Sequence, residues 1–150
     1  MRASISVAIA GLLWFSTYVS AQPNKELYEL QELCGKRAAE VFEREYSPRI
    51  ANTKDVQWRY NYENHYNARL NKCFFLVTYE LWRPKSEKSM RLIDLNENKE
   101  YGNYSATDTH LICVVRGKGC SDLDNPLDRR RSDPKAESEW RQLVKPFMED

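Results

Sequence analysis

The run CFFLVTYELW, Cys73 to Trp82, is the strongest strand signal in the chain. Aromatic and β-branched residues dominate it, and its first half is apolar on both faces, which predicts a strand covered on both sides. Pro84 closes it, because proline has no N–H to give to a sheet ladder. Upstream, Trp58, Tyr60 and Tyr62 alternate with Gln57, Arg59, Asn61 and Glu63, a period of two that predicts a half-buried strand. Between the two strands, residues 63–72 (ENHYNARLNK) are polar and read as a turn. Downstream, Met90–Leu95 and Lys99–Tyr104 flank Asn96-Glu97-Asn98, the pattern of a hairpin. Thr109–Val115 makes a further strand, ended by Gly117 and Gly119.

Helical periodicity brackets these strands. From Asn24, a capping residue, to about Tyr46, apolar residues recur at three- and four-residue steps: Leu27, Leu30, Cys34, Ala38 and Val41, with Phe42 beside them. Gly35 interrupts this helix, and its missing side chain suggests close approach of a strand. Ser47-Pro48 ends it. Residues 49–55 and 121–135 read as loops, the second holding Pro126, Pro134 and many charges. A last amphipathic helix begins near Pro134 or Ala136, with Trp140, Leu143, Val144 and Phe147 on its buried face; Pro146 is expected to kink or stop it. The expected architecture is α+β: an N-terminal helix, an antiparallel sheet of about four or five strands, a C-terminal helix and two disulfides.

The first 21 residues have the pattern of an export signal. Arg2 opens them, an apolar run follows from Ile5 to Val19, and Val19-Ser20-Ala21 places small residues where a signal peptidase reads. The run falls short of the about 20 apolar residues that a spanning helix requires. Cleavage after Ala21 leaves residues 22–150 as one disulfide-stapled domain with no stable membrane anchor, periplasmic or secreted. An oxidising compartment lets Cys34, Cys73, Cys113 and Cys120 pair as disulfides. Four cysteines allow three connectivities. Cys113 and Cys120 are close in sequence around two glycines, which leaves Cys34 on the helix stripe and Cys73 at the start of the strand. The longer bridge would contribute about 4 kcal/mol and the shorter about 2–3 by loop entropy. A zinc site using His110, Cys113 and Cys120 is the rival reading; export favours oxidation, so no metal is expected.

The chain carries 23 basic and 22 acidic residues, a net charge of +1. That balance argues against a general nucleic-acid binder. The basic run Arg129-Arg130-Arg131 lies between Asp128 and Asp133 and reads as a solvated loop. No GxSxG, HExxH or phosphate-binding glycine loop is present, so no cofactor and no catalytic residue is assigned. Asn103-Tyr104-Ser105 is formally an N-glycosylation sequon, given no weight here.

The best candidate for a functional surface is Trp58–Arg69. Trp58, Tyr60, Tyr62, His65, Tyr66 and Arg69 crowd there, and aromatic rings with arginine are what protein-binding hot spots use. The competing reading makes the alternate tyrosines core and the asparagines a turn. Three stretches, YENHYNARLNKCFFL (Tyr62–Leu76), LIDLNENKEYGNY (Leu92–Tyr104) and EWRQLVKPFMED (Glu139–Asp150), resemble a set of small exported bacterial proteins that carry no assigned function. The resemblance implies an exported soluble domain and transfers no active residue. The functional expectation is a binding or interaction module whose partner is a protein or other envelope macromolecule. The alternative is a small extracytoplasmic hydrolase with a site around His65, using Arg69 or Glu63.

Overall fold

The computed structural model describes residues 25–47, 57–83, 86–120 and 134–149. The expected signal segment, the Asn24 cap and the Arg129–Arg131 run lie outside them. Helix α1 spans Lys25–Glu45 and is followed by strands β1 (Gln57–Asn67), β2 (Lys72–Arg83), β3 (Glu87–Asp94), β4 (Lys99–Ala106), β5 (Leu111–Val115) and β6 (Lys118–Gly119). Helix α2, Pro134–Met148, completes the order. The strands form one antiparallel sheet in sequence order, β1-β2-β3-β4-β5-β6. The α+β expectation and both expected disulfides, Cys34–Cys73 and Cys113–Cys120, are therefore present.

Alternation along β2 separates the core into two layers. Phe74 and Leu76 face a cluster with Met90, Leu92, Tyr104, Cys113, Val115 and Trp140, which α2 covers. Cys73, Phe75 and Val77 face the opposite cluster with Ala38, Tyr46, Tyr66 and Leu95, which α1 covers. A strand buried on both faces is apolar at consecutive positions, which is why this run stands out in the sequence. Phe74 and Phe75 are both fully buried. On α1 the stripe is as expected: Cys34 and Ala38 are buried, with Leu27, Leu30, Val41 and Phe42 packed beside them.

Four details differ from the sequence reading. The stretch 63–72 is not one turn: β1 continues to Asn67, and only Ala68–Asn71 turns. Its polar residues suit an edge strand, and Asn67 has a tertiary partner described below. The Leu111–Val115 strand starts later than Thr109, because Thr107 N donates to His110 O at 2.9 Å and closes a turn. A sixth strand, β6, follows a tight turn in which Arg116 and Gly117 have φ of +51° and +77°, as a type I′ hairpin requires. Finally, Gly35 admits no close strand: a Cβ there would meet only Asn64 Nδ2, at 3.8 Å. The glycine that close packing does require is Gly102, where a Cβ would lie 3.1 Å from Val115 Cγ2 and 3.5 Å from Trp140 Cζ2. Pro146 sits inside α2, which ends two residues later at Met148.

Candidate recognition surface and the junction beside it

The strand pleat divides the Trp58–Arg69 candidates between two faces. Tyr60, Tyr62 and Tyr66 lie on the α1 face, packed with or against the cluster around Phe75. The Phe42 ring lies tilted against Tyr62 at 4.6 Å between centroids, and Tyr46 lies 5.7 Å from Tyr60. Tyr60 continues to Tyr79 at 5.0 Å, and Trp58 to the same ring at 5.6 Å. Burial pushes the Tyr79 hydroxyl up to about 12, with Glu87 and Tyr60 adding to the rise. Trp58, Tyr60 and Tyr62 remain half-buried, whereas Tyr66 is only 7% exposed. Its hydroxyl donates to Asn71 Oδ1 at 2.7 Å, across the turn it helps to close.

His65 points to the other face, opposite Phe74 in the β1–β2 register. Arg59, Asn61 and Glu63 share that face and are exposed. The Arg59 guanidinium rests 4.9 Å from the centre of the Trp82 ring, and Trp82 is itself 45% exposed. A groove of about 560 Å³ runs between α2 and this face, lined among others by Glu63, Leu76, Arg141, Lys145 and Met148. His65 is not part of its lining. Glu137, also in that lining, is held below its ordinary range: burial opposes the shift, and the hydrogen bonds from Lys88 at 2.7 Å and Arg141 at 3.0 Å outweigh it.

Arg69 is in the turn, and its guanidinium donates to Pro146 O at 3.2 Å. Asn67 does more. Fully buried, it directs Nδ2 at the carbonyls of Pro146, Phe147 and Glu149, at 3.2, 3.4 and 3.3 Å, while its Oδ1 accepts Leu70 N at 3.0 Å. Helix C-termini leave carbonyls without intrahelical partners, and a side-chain amide from β1 supplies the donor here. The sequence reading missed Asn67 as a tertiary cap, since an asparagine before a turn has the local explanation already given.

Close by, Lys72 donates to the fully buried carboxylate of Asp94 and to Glu97 Oε1, the latter at 2.6 Å. The Asp94 hydrogen bond, followed by that of Glu97, raises the Lys72 ammonium well above its ordinary value. Asp94 Oδ1 also accepts Asn96 N at 2.9 Å, fixing the β3–β4 turn. Tyr101 receives the Lys72 and Arg116 cations at 5.7 and 5.0 Å from its ring centre. Its ring meets Phe74 and Phe147 at 5.2 and 5.6 Å. Three stretches far apart in sequence, within residues 62–76, 92–104 and 139–150, thus converge on one junction, where two turns and the end of α2 are locked together. Every polar group named there is already engaged by another.

The remaining sequence candidates are placed as follows. His110 Nδ1 is 2.9 Å from Thr107 Oγ1 on an exposed turn, and the hydroxyl also accepts Thr109 N and His110 N. The contact closes the turn. Cys113 and Cys120 are disulfide-bonded, so they are not thiolate ligands beside His110, and no metal-binding cluster occurs among the described residues. Asn103 of the sequon lies within β4, paired with Arg91 and Val114. Among the described residues no helix is long and apolar enough to cross a membrane. Comparisons with protein-family models, curated proteins and solved structures find no match to this chain.

Proposed function

We propose that this protein is an exported binding module that works in the periplasm or outside the cell and recognises another protein through β1. The observation that carries the reading is the composition of this strand at the end of the sheet. Trp58, Tyr60 and Tyr62 are half-buried on one face, and Arg59, Asn61 and Glu63 are exposed on the other. Large aromatic rings and arginine bring contact area with few rotamers to freeze. Tyr66 is buried behind this surface with its hydroxyl on Asn71, and Arg69 is exposed in the turn beside it with its guanidinium on Pro146 O. The second reading, a small hydrolase around His65, draws on Glu63 in the groove lining, while His65 is outside that lining and Arg69 donates to a helix carbonyl.

Capture from envelope or culture-fluid extract tests the proposal, using the mature protein beside Trp58→Ala and Arg59→Ala. Both variants are expected to keep the far-UV spectrum and lose the protein that the parent retains. Hot-spot truncation typically costs about 2 kcal/mol or more of binding. Equal capture by parent and variants would remove β1 as the recognition surface.

A further inference from the structure

We infer that the partner of β1 is β1 of a second copy, so that two six-stranded sheets join into one across a two-fold axis. The inference rests on the reading of β1 as a recognition segment and names what it recognises. Among the described residues β1 is one end of the sheet and 11 residues long, whereas the opposite end, β6, has two residues. It contains no proline and no lysine, the residues that commonly discourage strand addition at an edge.

The sequence of β1 is self-complementary in one register. A closed dimer of identical strands requires a two-fold axis, and antiparallel addition sets that axis perpendicular to the sheet. Each side chain then stays on its own face and meets a partner residue of the same parity. With the axis at Asn61, Arg59 of each copy stands opposite the partner's Glu63, and Tyr60 stands opposite the partner's Tyr62. Moving the axis to Tyr60 sets Arg59 against the partner's Asn61, and moving it to Tyr62 sets Arg59 against the partner's His65. Only the Asn61 axis matches the charges. Opposite charges directly across a strand pair stabilise it, and like charges destabilise it.

The aromatic side agrees with this register. Tyr60 and Tyr62 flank the axis residue and already carry Tyr46 and Phe42 at 5.7 and 4.6 Å. The axis joins these two half-buried clusters, one from each copy, on the face that both α1 helices cover. Aromatic pairs at such spacing stabilise beyond the area they bury. The exposed Arg59 and Glu63 then set register and identity from the opposite face.

Sedimentation velocity or light scattering on the mature protein, over a micromolar to millimolar series, is expected to show a dimer. Arg59→Glu and Glu63→Arg each place like charges across the axis twice and should weaken the dimer roughly tenfold or more. The two changes in one chain restore opposite charges, and so does an equimolar mixture of the two single variants, which should associate as a heterodimer. Circular dichroism confirms that each variant is folded before its association is compared. A monomeric parent across the series overturns the inference, as does a double variant that associates no better than the singles. A monomeric parent whose capture of another protein still depends on Trp58 and Arg59 leaves the recognition reading standing without self-pairing.

Discussion

Asn67 of β1 caps the end of α2 through Pro146: its Nδ2 lies 3.2 Å from the Pro146 carbonyl, across 79 residues of chain. A single amide ties the first strand to the last helix, and it is buried where water cannot replace it. Asn67→Ala removes the donor from three carbonyls and the acceptor from Leu70 N. Leaving such groups unsatisfied costs about 1–3 kcal/mol, so the urea midpoint followed by circular dichroism should fall accordingly. Asn67→Asp should cost more than alanine, because it buries a negative charge against the negative end of a helix.

The two disulfides should be unequal. Their sequence separations are 39 and 7, and loop entropy gives about 4 kcal/mol for the longer against about 2–2.5 for the shorter. Replacing Cys34 and Cys73 together by serine is expected to lower stability by about 1.5 kcal/mol more than replacing Cys113 and Cys120. Parallel denaturant titrations of the two double variants decide the order.

Gly35→Ala should stabilise the protein. The position is inside α1, and a methyl there makes only ordinary contact with Asn64 Nδ2 at 3.8 Å. The helix then gains up to about 1 kcal/mol of propensity, read as a higher thermal midpoint. A lower midpoint would show that the helix leans closer to β1 than this spacing.

Glu137 makes stability depend on pH in a defined direction. Its folded pKa lies below the ordinary 4.5, so its contribution is present above that value and is lost as pH falls through the folded one. Glu137→Gln should therefore flatten the acid limb of the stability curve below about pH 4.5, with little change in the slope near neutrality. Denaturant midpoints for both proteins, taken from neutral pH down through the acid range below about 4.5, test this.

Much of the architecture was legible in the residues. CFFLVTYELW announces a strand buried on both faces because consecutive apolar positions have no other use in a sheet. The stripe on α1 and the alternation Trp58-Tyr60-Tyr62 follow from the periods of helix and strand. The candidate surface was legible only in part. Composition marks Tyr66 and Arg69 as hot-spot residues as readily as Trp58 and Arg59, because side-chain type does not say which hydrogen bond consumes it. Tyr66 closes its own turn on Asn71, and Arg69 is taken by Pro146.

The sequence by itself determined the class of fold, the helix stripe and the preferred cysteine pairing, since each follows from spacing within one segment or between neighbouring ones. Tertiary structure alone decided that β1 runs on to Asn67, that Lys72 belongs to Asp94, and that three separated stretches meet at the end of α2. Those outcomes depend on which groups burial deprives of water. A buried carboxylate or helix carbonyl must take whatever donor the fold brings within reach, and that donor can stand far away in the chain.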